Sequence, residues 1–137
     1  MAAGLRVAGV ETKGWLAVAI ARAHVEAWSN HDFDVARSSL AADVKVTATT
    51  TLPIMPATDL CGADDYMVGL IQFAQAVVPG SLRVIASVGD ERNALLMLSV
   101  EADLPVGRMT LPAARLYLLD EAGKIKAEQV IFYASQG

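Results

Sequence analysis

The sequence predicts a single α+β domain in which three helices pack on one face of a curved, mostly antiparallel sheet. Helical patterns and one β-branched stretch occupy the first part of the chain, whereas nearly everything after residue 80 is strand-like. The 137 residues are 54% hydrophobic and 19% charged, a composition that fits one sizeable core. Residues 1–12 are predicted to be a flexible tail, and the domain is expected to span residues 13–137.

The first part of the chain is predicted to contain three helices and one strand. Apolar residues recur at helical spacing up to Ser29, and Asp32 is expected to cap a short second helix. Pro53 and Pro56 predict a loop after the strand, and Pro79-Gly80 is expected to end the third helix. The helices are predicted at residues 12–29, 32–40 and 62–78, the strand at 43–51 and the loop at 52–61.

The rest of the chain is predicted to be a meander of four longer strands. Short segments rich in Gly, Pro, Asn and Asp separate the apolar runs and indicate turns. The predicted strands are residues 82–88, 94–104, 111–120 and 124–133.

The closing hairpin carries one inward-facing charge in each of its two apolar strands. If the loop is residues 120–123, Arg115 stands directly opposite Glu128. A three-residue loop instead puts Arg115 opposite Gln129, because a slip of one residue turns one strand's side chains to the other face. A charged pair among large apolar side chains indicates either a structural ion pair or the floor of a site.

Composition excludes several classes of protein. The net charge of −4 without a basic run argues against nucleic acid as a partner. The most apolar stretch, residues 15–21, is too short for a membrane span, and residues 1–20 lack the layout of a signal peptide. One cysteine and two histidines make a metal site improbable, and no Gly-rich phosphate loop is present, so no cofactor is expected. A cytoplasmic protein is the expectation.

Three segments resemble the nuclear transport factor 2-like superfamily, and in particular its SnoaL-like domains. They are Glu26-Ala-Trp-Ser-Asn-His-Asp-Phe-Asp34, Leu40-Ala-Ala-Asp-Val-Lys-Val46 and Asp120-Glu-Ala-Gly-Lys-Ile125. The resemblance covers roughly residues 13–133 and implies a cone-shaped, cystatin-like α+β barrel with a ligand cavity inside the cone. It does not imply one activity, because this fold includes isomerases, cyclases, hydrolases and binding modules.

The resemblance also implies positions for the site residues. The tyrosine, the protonated aspartate and the general base of ketosteroid isomerases fall at His24, Arg115 and Ala48. Ala48 cannot abstract a proton, so the usual isomerase chemistry is not expected. The last-strand aspartate of limonene-type epoxide hydrolases falls at Val130, so that match fails as well. The cavity-lining positions of the last strand fall at Glu128, Val130 and Phe132.

Glu128, Arg115 and His24 are the candidate catalytic residues. Burial raises the pKa of a carboxyl group and a neighbouring guanidinium lowers it, so Glu128 is a candidate general acid or base. Arg115 and His24 are candidates for stabilising an oxyanion. The alternatives are a buried Arg–Glu pair and an ordinary core histidine. The expected substrate-binding side chains are those of Trp28, Tyr117, Val130, Phe132, Ala48 and Met97.

Two functions remain open at this stage. The first is a cofactor-independent enzyme that acts by acid/base chemistry on a small, apolar carbonyl compound, such as a polyketide or terpenoid. Epoxide opening by water that Glu128 activates is a neighbouring reaction. The second is a non-catalytic ligand-binding or dimerisation module. A homodimer that forms through the sheet is expected in either case.

Overall fold

The computed structural model describes residues 16–50 and 58–132. The predicted tail at residues 1–12 therefore lies outside the described residues. The helices are α1 (Leu16–Ser29), α2 (Phe33–Ser38) and α3 (Ala63–Ala74). The strands are β1 (Leu40–Thr50), β2 (Thr58–Cys61), β3 (Arg83–Gly89), β4 (Asn93–Leu104), β5 (Gly107–Leu119) and β6 (Ile125–Phe132).

The six strands form one sheet in the order β2-β1-β6-β5-β4-β3. Only β1 and β6 pair in parallel, while the other neighbours are antiparallel. The sheet is not closed, because β2 and β3 each have a single neighbour in this order. The predicted fold class, three helices against a curved and mostly antiparallel sheet, is confirmed.

Side-chain alternation along the strands separates an inner face from an outer one. In β4, Leu96, Leu98 and Val100 are buried, whereas Met97 between them is exposed. Trp28 and Val25 of α1 belong to the same apolar core as these inner residues. The core therefore lies between the helices and the inner face of the sheet.

Several predicted boundaries in the first part of the chain are wrong. The second helix ends at Ser38 instead of residue 40, and β1 begins at Leu40 instead of residue 43. Residues 58–61, predicted as part of a loop, form β2, which pairs with β1 at the edge of the sheet. The third helix ends at Ala74 instead of residue 78. Its continuation joins β4, since the backbone N–H of Val78 donates to Glu101 and that of Asp103 donates to Ala76. Sheet pairing thus replaces the last predicted turn of the helix.

The closing hairpin adopts neither of the two predicted registers. Arg115 pairs with Val130, and Tyr117 pairs with Glu128. The loop between Leu119 and Ile125 is one residue longer than the longer loop predicted, and Lys126 is an extra residue without a pairing partner. The two insertions shift the register by two residues, which keeps Arg115 and Glu128 on the same face. They are diagonal neighbours instead of opposite ones.

Asp120 fixes the longer loop. Its backbone N–H donates to the Lys124 carbonyl, and its carboxylate accepts from the backbone N–H groups of Ala122 and Lys124. Gly123 takes a φ of 81°, a conformation that glycine adopts without steric cost. Local hydrogen bonding of an aspartate therefore sets the register of the two strands that carry Arg115 and Glu128.

Candidate functional site

Four polar side chains from four elements meet in the core. They are His24 of α1, Tyr66 of α3, Arg115 of β5 and Glu128 of β6, and none is more than 4% exposed. The structure brings together the three predicted catalytic residues, His24, Arg115 and Glu128. It adds Tyr66, which the sequence analysis missed.

Glu128 is held through both of its carboxylate oxygens. Nη1 of Arg115 donates to Oε2 at 2.7 Å, and the Tyr66 hydroxyl donates to Oε1. The Arg115 guanidinium also lies over the Trp28 ring, 4.7 Å from its centroid. The ion pair is therefore shielded from water and further stabilised by an aromatic face.

His24 extends this network away from the carboxylate. Nδ1 lies 2.9 Å from the Ala36 carbonyl of α2, and Nε2 lies 3.0 Å from the Tyr66 hydroxyl. Tyr66 is thus the link between the histidine and Glu128. The one sequence signal for Tyr66 is its helical spacing with Leu70 and Phe73, which places all three on one face of α3.

Burial and charge shift the pKa values of these groups in opposite ways. Burial lowers the pKa of His24 below its usual value, although the charge of Glu128 counteracts part of this effect. Burial alone would raise the pKa of Glu128, but Arg115, His24 and the Tyr66 and Tyr117 hydroxyls together outweigh burial, so the pKa is lowered. Burial and the charge of Glu128 raise the pKa of Tyr66 well above its usual range. At neutral pH the site holds an ionised Arg–Glu pair, an intact Tyr66 hydroxyl and a neutral His24.

A cavity of about 430 Å³ opens between α3 and the inner face of the sheet. Its polar lining includes Glu128, Arg115 and Tyr66, whereas most of the other lining side chains are apolar. The volume falls within the range of small-molecule sites. The apolar lining comprises Val46, Ala48, Leu60, Val68, Leu70, Phe73 and Val130.

The predicted substrate-binding residues divide into four groups. Ala48 and Val130 line the cavity. Trp28 and Tyr117 are buried in the core next to the polar network and do not line the cavity. Met97 lies on the outer face of the sheet, 38% exposed, because the even-numbered residues of β4 are the ones that face inward. The side chain of Phe132 lies outside the described part of the structure.

Neither a metal site nor a membrane span is found in the described part of the chain. No group of three or more His, Cys, Asp or Glu side chains is arranged to hold a metal ion among residues 16–50 and 58–132. None of the helices in these same ranges has the length and apolar character needed to cross a bilayer.

Comparison with solved structures identifies the fold. A protein from Kribbella flavida is 29% identical, with 86% of this chain and 87% of that chain covered and a TM-score of 0.71. An LEH-like epoxide hydrolase of Mycobacterium tuberculosis is 17% identical, with 87% and 84% covered and a TM-score of 0.69. Another M. tuberculosis protein, in complex with estradiol-17β-hemisuccinate, is 12% identical, with 84% and 92% covered and a TM-score of 0.70.

Ketosteroid isomerase-like and SnoaL-like proteins are among the other structures with this fold. An NTF2-like protein from Cytophaga hutchinsonii, 16% identical, with 85% and 88% covered and a TM-score of 0.64, has this fold too. The chain therefore has the fold of the nuclear transport factor 2-like superfamily, as the sequence resemblance predicted. No protein-family model and no curated protein sequence matches the chain.

Proposed function

We propose that the protein binds a small, mainly apolar carbonyl compound in the cavity between α3 and the sheet and acts on it by acid/base chemistry. The observation that carries the proposal is the ionised Glu128–Arg115 pair, which lines a mainly apolar cavity of about 430 Å³. The steroid ester bound by the M. tuberculosis protein of the same fold supports a ligand of this class.

Each polar side chain has a role in this proposal. The Glu128 carboxylate, in the lining of the cavity, accepts a proton from the carbon next to the carbonyl or from a hydroxyl that closes a ring. The Arg115 guanidinium is a fixed positive charge beside the position where an enolate or alkoxide develops. His24 lies behind Tyr66 and acts on the site through that hydroxyl.

Replacement of the Glu128 carboxylate tests the proposal. Glu128→Gln keeps the shape of the side chain and removes its basicity, so we expect activity to fall by at least about 100-fold, the usual contribution of a general base. Turnover of a panel of polyketide- and terpenoid-like carbonyl compounds is the measurement. Glu26→Gln, an exposed change on α1, is the matched control and should keep full activity.

The second candidate function is a non-catalytic binding or dimerisation module. It is favoured by the full engagement of Glu128, whose two oxygens already accept from Arg115 and Tyr66. In that case Glu128→Gln should lower the free energy of unfolding and leave ligand affinity nearly unchanged. Epoxide opening, with Glu128 activating water, is the neighbouring enzymatic proposal, and epoxides belong in the same substrate panel.

We also propose that two copies pair through the outer face of the sheet. Met97, Leu116 and Ile131 are 37 to 41% exposed there, on three neighbouring strands. Leu116→Lys should shift sedimentation towards the monomer, because it places a charge within the apolar contact. Val106→Lys, at an exposed position outside this face, is the control and should sediment like the unaltered protein. Identical sedimentation of the Leu116→Lys protein would contradict the proposal.

The proposed location is the cytoplasm. The single cysteine of the chain, Cys61, cannot form an intramolecular disulfide, and this supports a reducing compartment. Fractionation of cells that express the full chain is the test, and recovery in an extracellular fraction would contradict the assignment.

A further inference from the structure

The protons of the chain from His24 through Tyr66 to Glu128 can be counted. The Ala36 carbonyl can only accept, so Nδ1 of His24, 2.9 Å away, carries a proton. In the neutral imidazole, Nε2 is then an acceptor. The ionised Glu128 carboxylate is an acceptor as well. Between these two acceptors stands the Tyr66 hydroxyl, which has a single proton to donate.

One proton cannot serve both hydrogen bonds. If Tyr66 donates to Oε1 of Glu128, no proton lies between the Tyr66 oxygen and Nε2 of His24. These two atoms are 3.0 Å apart, and each then presents a lone pair to the other. If Tyr66 donates to His24, Oε1 of Glu128 loses that donor. The chain from His24 through Tyr66 to Glu128 is one proton short in both arrangements, and a missing donor within a buried hydrogen-bond chain is unfavourable. The Tyr117 hydroxyl also acts on Glu128, but it supplies no proton to the contact between Tyr66 and His24.

We propose that Tyr66 is a positioning residue whose single proton is shared between Nε2 of His24 and Oε1 of Glu128, and that a proton taken from the ligand completes this chain. This proposal rests on the proposed function, in which Glu128 is the proton acceptor. In this proposal His24 lies behind the cavity and accepts the Tyr66 proton when Glu128 takes up a proton from the ligand. Tyr66 lies between the histidine and the carboxylate.

The proton transfer balances without another reactant. A C–H or O–H bond of the ligand breaks, its electron pair stays on the ligand, and an O–H bond forms at Glu128. Glu128 then donates to the Tyr66 oxygen, and Tyr66 donates to Nε2 of His24. Two protons now fill two hydrogen bonds, so the product state of the transfer is the satisfied one.

Protonation of His24 from solvent completes the chain from the other end. Nε2 then donates to the Tyr66 oxygen, which fixes the Tyr66 proton on Glu128 and makes that carboxylate a weaker base. The groups that face His24 are Tyr66 from α3, Glu128 from β6, and Arg115 and Tyr117 from β5. The Ala36 carbonyl of α2 completes its surroundings.

Nitrogen-15 NMR of the histidine rings tests the proposal without any ligand. The full chain is labelled on histidine, and both ring nitrogens of His24 are followed from pH 5 to 9 in the unaltered protein and in Tyr66→Phe. His31, outside the network, is the internal reference, and His31→Gln assigns its signals. We expect neutral His24 to carry its proton on Nδ1. In Tyr66→Phe the pKa of His24 should fall by about one pH unit or more, because protonated Nε2 loses its acceptor.

Glu128→Gln provides a second variant that does not depend on the Tyr66 change. The amide of Gln can donate to the Tyr66 oxygen, so the Tyr66 proton should move to His24. We expect Nε2 to show the shift of a hydrogen-bonded acceptor, and the pKa of His24 to fall.

Two outcomes would contradict the proposal that the Tyr66 proton is shared. One is a neutral His24 with its proton on Nε2, and the other is a His24 titration that neither variant alters. These readouts need no substrate, so they are distinct from the turnover panel. Failure of the panel with the expected NMR result would reject the proposed enzyme and leave the shared proton in place.

Discussion

At the scale of single residues, Arg115 determines the charge balance of the site. Its guanidinium lies between the Trp28 ring, with 4.7 Å to the ring centroid, and the Glu128 carboxylate, with 2.7 Å between Nη1 and Oε2. Only 4% of the residue is exposed, so removal of the guanidinium leaves the buried Glu128 carboxylate without this cationic partner. An unpaired buried carboxylate is among the costlier defects in a folded protein.

We therefore expect Arg115→Met to lower the free energy of unfolding by about 3–5 kcal/mol, the usual cost of breaking a buried ion pair. The double variant Arg115→Met/Glu128→Leu should recover most of this loss, because no charge is left without a partner. Urea unfolding of both proteins measures the difference. Equal destabilisation of the single and double variants would show that the pair is not the source of the effect.

The same scale shows what the sequence could and could not predict of the site. Arg115 and Glu128 stand out in a sequence because charges are rare in apolar strands, and His24 stands out by the same reasoning in an apolar helix. Tyr66 gives no such signal, since tyrosine is common in buried helix faces. Its role depends on where α3 crosses the sheet, which no local pattern encodes.

At the scale of elements, the junction of β3 and β4 is packed without spare room. A Cβ atom on Gly89 would lie 2.3 Å from the Asn93 carbonyl oxygen and 3.0 Å from the Val18 side chain. By contrast, a Cβ atom on Gly69 of α3 would meet only the end of the Leu60 side chain, at 2.9 Å. The first contact involves rigid backbone, and the second involves a flexible group.

This difference predicts that a Gly→Ala substitution lowers the free energy of unfolding much more at Gly89 than at Gly69. Gly89→Ala should lower the free energy of unfolding by about 2–3 kcal/mol, the upper range for overpacking. Gly69→Ala should change it by less than about 1 kcal/mol, because better helix propensity offsets the displaced Leu60. Thermal and urea unfolding of the two variants provide the comparison. A similar loss in both would contradict the assignment of Gly89 to a backbone contact.

The elements also show why the hairpin register escaped prediction. A glycine in the turn indicates a hairpin, but it does not reveal that Asp120 closes a longer loop or that Lys126 is extra. Each insertion alone would have turned the side chains of one strand to the opposite face of the sheet. The two insertions together restore the original faces. The prediction of inward-facing Arg115 and Glu128 therefore survives although the pairing was wrong.

At the scale of the whole molecule, the predicted layers are confirmed, and the longest strands, β4 and β5, show regular alternation of buried and exposed side chains. The errors in the described chain concern short or late features, such as β2 and the last turn of the third helix. Those features depend on pairing with a distant strand, and tertiary contacts override local preference there. Met97 was predicted to line the cavity, and it lies in the run Ala94–Leu98, where both faces of the strand are apolar and the pattern does not show which side faces inward.

Stability of the whole molecule should depend on pH through His24 and Glu128. The pKa of His24 is lowered by burial, so its stabilising effect is complete above about pH 6.5 and is lost as the pH falls below that value. The pKa of Glu128 is also lowered, so a second loss begins below about pH 4.5.

We expect unfolding experiments to show a decline from pH 6.5 downwards, of at most about 1.4 kcal/mol per pH unit for one proton. His24→Gln removes the titrating ring and should flatten the decline between pH 6.5 and 5. The slope, rather than the absolute stability, is the quantity to compare. An unchanged slope in His24→Gln would assign the decline to other groups.

The position of Trp28 gives the protein an optical probe of its own. Its indole ring is fully buried and lies against Arg115, which also donates to the Glu128 carboxylate in the cavity. Any rearrangement of the guanidinium changes the electric field at the indole, and indole emission responds to that field. The chain has one other tryptophan, Trp15, so a Trp15→Phe protein would emit from the site alone. Ligand binding in the cavity should then shift the wavelength of the Trp28 emission maximum, even for a ligand that the protein does not convert.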